Sequence, residues 1–445
     1  MSSQKISRRE FLKSSFVFGT AASFGSLLAG CGTQEAPAET EVPGTVTGAP
    51  TVVSREMTLQ FPSWQQDEPG SSDWWKARIA DFEQTHPGVN IEFTKIGVSD
   101  IAPTLLTQFS AGSPPQIIHL PFLNMFQFAD QGFLEPLDNW LETTDVPEIW
   151  TPLQQGTQWE GSTYAILLLA YGYAMIYNEM MFEEAGQAIP TTSQEFVNSV
   201  KAITKPPDIF GYGTTTQPGF NMLIHMETFM IGNGGHLMTD GVPSVITPEA
   251  IEGVSQWVDI VKSGASPTGL GTGELRQLLT QGKSASYFDG PWGQGFIRDA
   301  DPEVKPHLKV TRLPFEKVFG GSSNIVAMPA TLPQEQKEVV WEFIQSLTTP
   351  EAQKDYVLKY CVAPSRQDLD IPSDELHESC PLIDPWLEAS NSPDLVDYFP
   401  YGLETKAIEL SNLVSESGQV LITTDTPVEE EMERLQQRME DLQQG

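Results

Sequence analysis

Aromatic residues follow directly after several segments whose patterns predict strands. Trp64 follows the alternating run at residues 57–61, and Phe122 follows the apolar run at residues 117–120. Because ligands bind beyond the carboxyl ends of strands in open α/β sheets, we expect these loops to converge on one site. Flat rings there suit a ligand with apolar C–H faces and hydroxyl edges, which is a sugar. The same interpretation extends to other rings in predicted loops and apolar segments: Tyr171, Tyr173, Phe220, Trp292 and Tyr401.

Ordinary core packing is the alternative explanation for each of these rings. It explains Trp292 least well, because this residue lies in the Asp-Gly-Pro-Trp-Gly sequence at residues 289–293. Such a sequence is typical of a turn, and turns are usually exposed. Trp292 is therefore the ring that we most expect to contact a ligand.

The motifs of the common catalytic and cofactor sites are absent from residue 31 onward. The chain has no GxSxG, no HExxH and no complete GxxxxGK[ST] phosphate loop. The glycine-rich run at residues 269–273 misses the dinucleotide spacing and predicts a mobile loop. Two cysteines and six histidines do not make a zinc site, so we expect no metal and no cofactor. A carboxylate pair for glycoside hydrolysis stays open, because 59 acidic residues offer many candidates.

The first residues match two export signals. Residues 7–13 match a twin-arginine motif, and the apolar run at residues 16–28 has the length of a signal peptide rather than a membrane span. Leu-Ala-Gly-Cys at residues 28–31 resembles a lipobox, in which Cys31 is acylated and becomes the new N-terminus. The alternative is a plain secretory signal with a chance cysteine. We predict a signal peptide at 1–30 and a lipidated, flexible linker at 31–54.

Length and charge limit the class of protein. The 445 residues carry 25 Lys and Arg against 59 Asp and Glu, a formal net charge of −34. This acidity disfavours nucleic acid as a partner, because a polyanion is bound by clustered basic side chains. No internal stretch of about 20 apolar residues exists, so contact with the membrane is expected only through the lipid anchor.

The body of the chain alternates strand and helix patterns. Residues 57–61, 89–93 and 117–120 have the pattern of strands, the last of them a buried parallel one, and residues 73–86 and 101–109 have that of helices. This order predicts an α/β layer. Three later helices are predicted to begin at an N-cap threonine followed by proline, namely Thr247, Thr349 and Thr426.

Cys361 and Cys380 lie in a proline-rich region and allow two interpretations. An oxidising compartment permits a disulfide between them. Two buried free thiols are the alternative, since twin-arginine substrates usually fold before export.

Several motifs in order resemble the extracellular solute-binding proteins of ABC importers, specifically the carbohydrate-binding group that includes maltose-binding protein. Phe-Glu-Gln-Thr-His-Pro-Gly-Val at residues 82–89 is similar to that family's "FEk..PgI.V", and Gly-Phe-Leu-Glu-Pro-Leu-Asp at residues 132–138 to its "G.l.PLd". Residues 176–186 resemble "lyYNk..f..aG", and residues 282–292 resemble "GkaAM...GpW". The resemblance covers roughly residues 57–440.

The resemblance implies an α/β, two-lobed periplasmic-binding-protein fold with a hinge and an interlobe ligand cleft. The N-terminal lobe would comprise residues 55–170 plus 314–363, and the C-terminal lobe residues 171–313 plus 364–445. The implied protein is a monomer outside the cytoplasm. It closes on a mono- or oligosaccharide without catalysis and delivers it to ABC permease subunits.

The resemblance also implies which residues bind the ligand. The rings would stack on the sugar, and Gln, Asn and Asp side chains would bond its hydroxyls. The implied set is Trp64, Gln65, Phe122, Tyr171, Gln217, Phe220, Asn221, Asp289, Trp292 and Tyr401.

Three alternatives remain open at the level of sequence. One is an anchored extracellular hydrolase of glycans. The others keep the binding role but change the ligand to a glycerol phosphate or a polyamine. A phosphate should be met by Arg or Lys, and the chosen loops contain neither. A polyamine would need several carboxylates, for which Asp67, Glu68 and Asp289 are the candidates.

Overall fold

The structure is a computed structural model that describes residues 56–445. The export motif, the lipobox with Cys31 and the linker to residue 54 therefore lie outside the described residues. Between residues 56 and 445, no helix combines the length and the apolar composition that crossing a membrane requires.

More of the described residues lie in helices than in strands. They are α1 (Ser71–Thr85), α2 (Val98–Ser110), α3 (Met125–Asp130), α4 (Asp138–Leu141), α5 (Val146–Ile149), α6 (Glu179–Glu184), α7 (Ser193–Ile203), α8 (Phe220–Gly232), α9 (Pro248–Lys262), α10 (Thr272–Thr280), α11 (Gly293–Arg298), α12 (Gln334–Ser346), α13 (Pro350–Tyr360), α14 (Ser373–Ser379), α15 (Asp384–Ser390), α16 (Ala407–Thr423) and α17 (Val428–Gln444).

The strands are shorter and fall into separate sheets. They are β1 (Met57–Ser63), β2 (Val89–Lys95), β3 (Ile118–Pro121), β4 (Gln158–Trp159), β5 (Ser162–Thr163), β6 (Ile166–Gly172), β7 (Ala174–Asn178), β8 (Met238–Thr239), β9 (Val242–Pro243), β10 (Ser286–Asp289), β11 (Leu308–Arg312), β12 (Val318–Ala327) and β13 (Leu395–Asp397). The predicted α/β class is confirmed, with each early strand and helix found within a few residues of its expected position.

The first lobe is built on β1, β2, β3, β6 and the second half of β12. β1 and β2 pair in parallel, from Met57 with Val89 to Ser63 with Lys95. β12 pairs antiparallel with both β3 and β6. β3 was predicted to be a buried parallel strand. All four of its residues are buried, but the prediction of parallel pairing was wrong. Burial on both faces produces an apolar run whichever way the neighbouring strand points.

The second lobe is built on β7, which lies between β10 and β11 and runs antiparallel to both. Its core includes Phe288 of β10, whose ring lies 5.8 Å from that of Phe229 in α8. α8 packs in turn against α9 and α16. These contacts place α8, α9 and α16 in the second lobe.

The chain passes between the lobes at the end of β6. Gly172 pairs with Gly320 of β12, and two residues later Ala174 begins β7 in the other sheet. Glycine is required here, because a Cβ atom on Gly320 would lie 2.2 Å from the carbonyl oxygen of Tyr171. The lobe boundaries given in the sequence analysis stay a prediction.

Local capping signals explain where two of the later helices begin. The hydroxyls of Thr247 and Thr349 each accept a hydrogen bond from a backbone N–H three residues on, at 3.2 Å. The third cap was predicted one residue too early. Pro427 occupies the N-cap of α17, and the Thr426 hydroxyl instead shares a 2.8 Å hydrogen bond with Thr424.

Cys361 and Cys380 form a disulfide whose Cα atoms lie 5.5 Å apart. Of the two interpretations of this pair, the disulfide is therefore the one that the structure has. It joins the end of α13 to the end of α14, just before the chain enters α15. Both cysteines are buried.

Candidate functional site

A small cleft with a volume of about 90 Å³ lies between the two lobes. The first lobe contributes the segment after β1 and the middle of β12. The second lobe contributes the start of α8, one face of α10 and the end of β10. Rings and polar groups that line the cleft include Trp64, Gln65, Glu68, Tyr171, Tyr173, Phe220, Asn221, His225, Arg276, Tyr287, Asp289, Trp292, Ser323, Asn324, Tyr360 and Tyr398.

Most of the predicted ligand residues meet in this cleft. Those that line it are Trp64, Gln65, Tyr171, Phe220, Asn221, Asp289 and Trp292. Phe122 and Tyr401 line a different cavity instead. Gln217 is exposed, and its side chain lies beside Gly271 at the start of α10. The sequence places a residue after a strand, but it does not say towards which side of the sheet the side chain points.

Trp292 is buried rather than exposed, contrary to the expectation from its turn sequence. Its ring is folded back over Gly290, where a Cβ atom would lie 2.3 Å from a ring carbon. Only 9% of the residue is exposed, and the ring lies 5.0 Å from that of Tyr171 in an edge-on arrangement. The glycine therefore lets the turn direct its ring into the cleft.

Trp64 forms the opposite wall. Its ring is stacked on that of His119, with centroids 4.1 Å apart and planes inclined by 9°. Burial lowers the pKa of His119 to about 3, so the imidazole is neutral at physiological pH. Its ring nitrogens are held by Ser63 at 2.8 Å and by Asn324 at 3.2 Å. The stack is a fixed apolar platform on the first-lobe side.

Gln65 lines the cleft, but its amide group is committed to protein partners. The Nε2 atom donates to the Tyr360 hydroxyl at 3.1 Å, and the Oε1 atom accepts from Trp75 at 2.8 Å. The Tyr360 hydroxyl in turn donates to the Glu68 carboxylate at 2.7 Å. Gln65 is thus a positioning residue for Tyr360 and Glu68, rather than a free hydrogen-bonding group.

Arg276 is the charged group that sequence reasoning missed. Its Nε and Nη2 atoms donate to the two carboxylate oxygens of Asp289 at 2.7 and 2.8 Å, and Nη1 lies 3.5 Å from Glu68. The guanidinium also covers the ring of Phe296 at 4.5 Å. The glycine-rich run before it was predicted to be a mobile loop, but Gly271 is the N-cap of α10. In the structure a helix follows the glycines, and this helix brings Arg276 to the cleft.

The one guanidinium of the cleft lies between two carboxylates, those of Asp289 and Glu68. Burial raises the pKa of Glu68, and the nearby Arg276 and the Tyr360 hydroxyl oppose that shift. Asp289 accepts both arms of Arg276 and the N–H of Gly290, which uses three of its roughly four acceptor positions. No cationic side chain among those lining the cleft is therefore left without an anionic partner.

His225 adds a second neutral imidazole. Burial and the charge of Arg276 lower the pKa of His225 to about 3. It shares hydrogen bonds with the hydroxyls of Thr214 at 3.1 Å and Tyr287 at 3.3 Å. Within residues 56–445, no group of three or more His, Cys, Asp and Glu side chains has an arrangement that would hold a metal ion.

The two lobes touch across the cleft. Besides the contact of Arg276 with Glu68, a Cβ atom on Gly219 would lie 3.4 Å from Ser99 in α2. A Cβ atom on Gly295 would lie 2.8 Å from the carbonyl oxygen of Pro69. These approaches describe a closed arrangement of the lobes.

Residues 68–354 match the family described as bacterial extracellular solute-binding protein. A maltotriose-binding protein of Pyrococcus abyssi is 24% identical over 305 residues, which cover 66% of this chain and 64% of the relative. Among solved structures, maltose-bound MalE3 of T. maritima is similar with a TM-score of 0.76 and 18% identity, covering 87% of this chain and 99% of that one. UgpB of Mycobacterium tuberculosis, solved with glycerophosphocholine, has a TM-score of 0.72 and 17% identity, covering 87% and 98%. The chain has their two-lobed fold, and it belongs to the bacterial extracellular solute-binding protein family of ABC transporters.

Proposed function

We propose that this chain captures a small carbohydrate in the cleft and presents it to the permease of an ABC importer. The observation that carries the proposal is that rings from both lobes face one small cleft whose charged groups pair with one another. Trp64 lies on the first-lobe side, and Phe220 and Trp292 lie on the second-lobe side. A sugar offers apolar faces to such rings and has no charge that the cleft would need to neutralise.

Free polar groups are available for the hydroxyls of the ligand. The amide of Asn221 and the hydroxyl of Tyr173 line the cleft and make no side-chain hydrogen bond with any described residue. Glu68 keeps acceptor capacity beside them, because its carboxylate is shared only with Tyr360, Ser71 and the long contact to Arg276. We assign hydroxyl recognition to Asn221, Tyr173 and Glu68.

The pairing of Arg276 with Asp289 argues against the other ligand classes. A phosphate group needs a cation that is free to approach it, and this guanidinium is held bidentately. A polyamine needs several uncompensated carboxylates, whereas Asp289 is paired with Arg276 and Glu68 is the one other carboxylate in the cleft lining. The same pairing speaks against Asp289 as an acid–base group, so we infer binding without catalysis.

Closure of the lobes would couple capture to transport. Contacts available only in the closed state let a ligand stabilise that state. The crossing between Gly172 and Ala174 lies beside Tyr171, which itself lines the cleft. We infer that the ligand favours closure through these rings and that the permease recognises the closed arrangement. The cleft volume of about 90 Å³ argues against a long oligosaccharide.

The place of action follows from the proposed export signals. We infer that the chain leaves the cytoplasm by the twin-arginine route and is held at the outer surface of the cell membrane through lipidated Cys31. The monomeric globular part then works close to a permease without entering the bilayer.

Isothermal titration against a panel of mono- and disaccharides tests the proposal. One of these should bind saturably, and Trp292→Ala should weaken its binding by about 1–3 kcal/mol, as expected for a buried aromatic contact. Trp159→Ala removes a tryptophan outside the cleft and should leave the affinity unchanged. Thermal unfolding of both variants serves as the folding control.

Two outcomes would contradict the proposal. One is that no saccharide binds while a polyamine or a glycerol phosphate does. The other is that the two tryptophan variants bind the sugar equally well. Release of product from chromogenic glycosides would instead support a hydrolase.

A further inference from the structure

A second cavity of about 370 Å³ lies on the other side of the chain at residues 397–399, where β13 ends. Along this segment the side chains alternate. Tyr398 lines the carbohydrate cleft, whereas Asp397 and Phe399 line the second cavity. Ser322 of β12 forms part of its floor, and the chain at residues 152–159 forms the far side. The two cavities are thus separate sites that share one wall.

Five aromatic rings form a continuous surface in this cavity. Phe126 lies 5.5 Å from Phe122, 5.9 Å from Trp159 and 4.6 Å from Phe399, and Phe399 lies 4.8 Å from Tyr401. Tyr401 is 57% exposed, an unusual position for a large ring. Of these five rings, Phe122 and Tyr401 were predicted from the sequence to bind the carbohydrate.

Two carboxylates line the same cavity without a counter-ion. Asp397 accepts one hydrogen bond, from the backbone N–H of Phe399 at 3.1 Å, and Glu404 accepts none from the described residues. No Lys, Arg or His side chain lines the cavity. Lys406 is the lysine closest in sequence to Glu404, and its ammonium group donates to the carbonyl oxygen of Leu442 instead.

We propose that this second cavity binds a small organic ammonium ion, held by its aromatic wall and by the carboxylates of Asp397 and Glu404. Aromatic faces attract cations through their quadrupole, and quaternary ammonium groups are bound in aromatic surroundings of this kind. A neutral sugar would leave both carboxylates partly desolvated and uncompensated, which is costly. In the carbohydrate cleft, by contrast, a cation is present, because Arg276 pairs with Asp289 and approaches Glu68.

The electrostatic surroundings agree with this assignment. Burial raises the pKa of Asp397 to about 6, as expected for a carboxylate that has no cation beside it. Asp397 and Glu404 both act on the hydroxyl of Tyr401, whose pKa is raised by burial and by these two charges. A bound cation would occupy the centre of this negative group.

Isothermal titration of the full chain with choline tests the proposal, with 3,3-dimethyl-1-butanol as a neutral analogue of the same shape. Choline should bind saturably and at least tenfold more tightly than the neutral alcohol. Asp397→Asn keeps the acceptor for the Phe399 N–H and should weaken choline binding at least tenfold. Glu404→Gln, at a half-buried position, provides a second variant should Asp397→Asn fold poorly.

Trp292→Ala, in the carbohydrate cleft, should leave choline binding unchanged, and the two carboxylate variants should leave saccharide binding unchanged. The proposal is overturned if choline does not bind, if the neutral alcohol binds as tightly, or if only Trp292→Ala removes choline binding. The last result would place the cation in the cleft. None of these outcomes depends on whether a saccharide binds there.

Discussion

Glu227 is a buried carboxyl group, and the half-buried Asp397 lies close enough to influence it. Glu227 in α8 is 2% exposed, and its Oε2 atom has no hydrogen-bond partner among the described residues. Burial, and then the charge of Asp397, raise the pKa of Glu227 well above its usual range. An uncompensated buried carboxylate opposes folding once it is ionised. This pair therefore makes stability depend on pH.

Asp397→Asn should stabilise the protein above pH 6 but not at pH 4. The pKa of Asp397 is about 6 in the folded protein, above the 3.8 of a free side chain, so the folded state holds its proton longer. Wild-type stability consequently falls as the pH rises from about 4 to 6, and the asparagine variant lacks this loss. The difference should reach about 2–3 kcal/mol, at roughly 1.4 kcal/mol per pKa unit.

Urea unfolding of both proteins at several pH values measures this difference. Equal gains at pH 4 and pH 8 would show that the effect is not one of ionisation. Glu404→Gln is the matched control, because it removes a carboxylate from the same cavity that accepts no hydrogen bond from the described residues.

At the scale of single residues, sequence identified rings better than polar partners. Trp64 and Trp292 were predicted because a ring in a loop or turn stands out, and both line the cleft. Arg276 was not, because it lies on a helix and its partner Asp289 is 13 positions away on a strand. Phe122 was placed in the correct loop, but its ring points into the second cavity. Such directions depend on which side of the sheet the neighbouring elements pack.

At the scale of elements, local signals predicted boundaries and left the pairing of strands open. Proline after threonine started α9 and α13 as expected, because a cap involves only neighbouring residues. The partner of β3 could not be predicted in the same way. β12 lies some 200 residues further along the chain. Its apolar run does not indicate whether it pairs parallel or antiparallel to β3.

The disulfide is an element-scale brace, since it fixes the end of α13 to the segment that leads into α15. α13 packs on α1 in the first lobe, and α15 packs on β6, β11 and β12 near the crossing. Replacing both cysteines, as Cys361→Ala/Cys380→Ala, should lower the free energy of unfolding by about 2–4 kcal/mol, the typical contribution of a disulfide.

Urea denaturation with and without reductant checks this prediction. Reductant should shift the midpoint of the wild type and leave that of the double variant unchanged. If the wild-type midpoint does not move under conditions that fully reduce the disulfide, the disulfide contributes nothing to stability.

At the scale of the whole molecule, the two-lobed architecture followed from the order of motifs rather than from any one of them. Their spacing over roughly residues 57–440 resembles one family, and the family match over residues 68–354 agrees with it. The closed approach of the lobes could not be predicted, because it depends on contacts such as Gly295 against Pro69. The identity of the ligand is likewise a property of the assembled cleft.

The proposed lipid anchor determines where the assembled molecule is held. If Cys31 carries the anchor, Cys31→Ala should move the protein from the membrane fraction to the soluble fraction of cells. Saccharide affinity and thermal stability should stay unchanged, because position 31 lies outside the described residues that line the cleft and form the core. Arg8→Lys/Arg9→Lys is the matched control, since it should block export and leave an unprocessed chain inside the cell. A Cys31→Ala protein that still sediments with membranes would show that contacts other than a lipid hold it there.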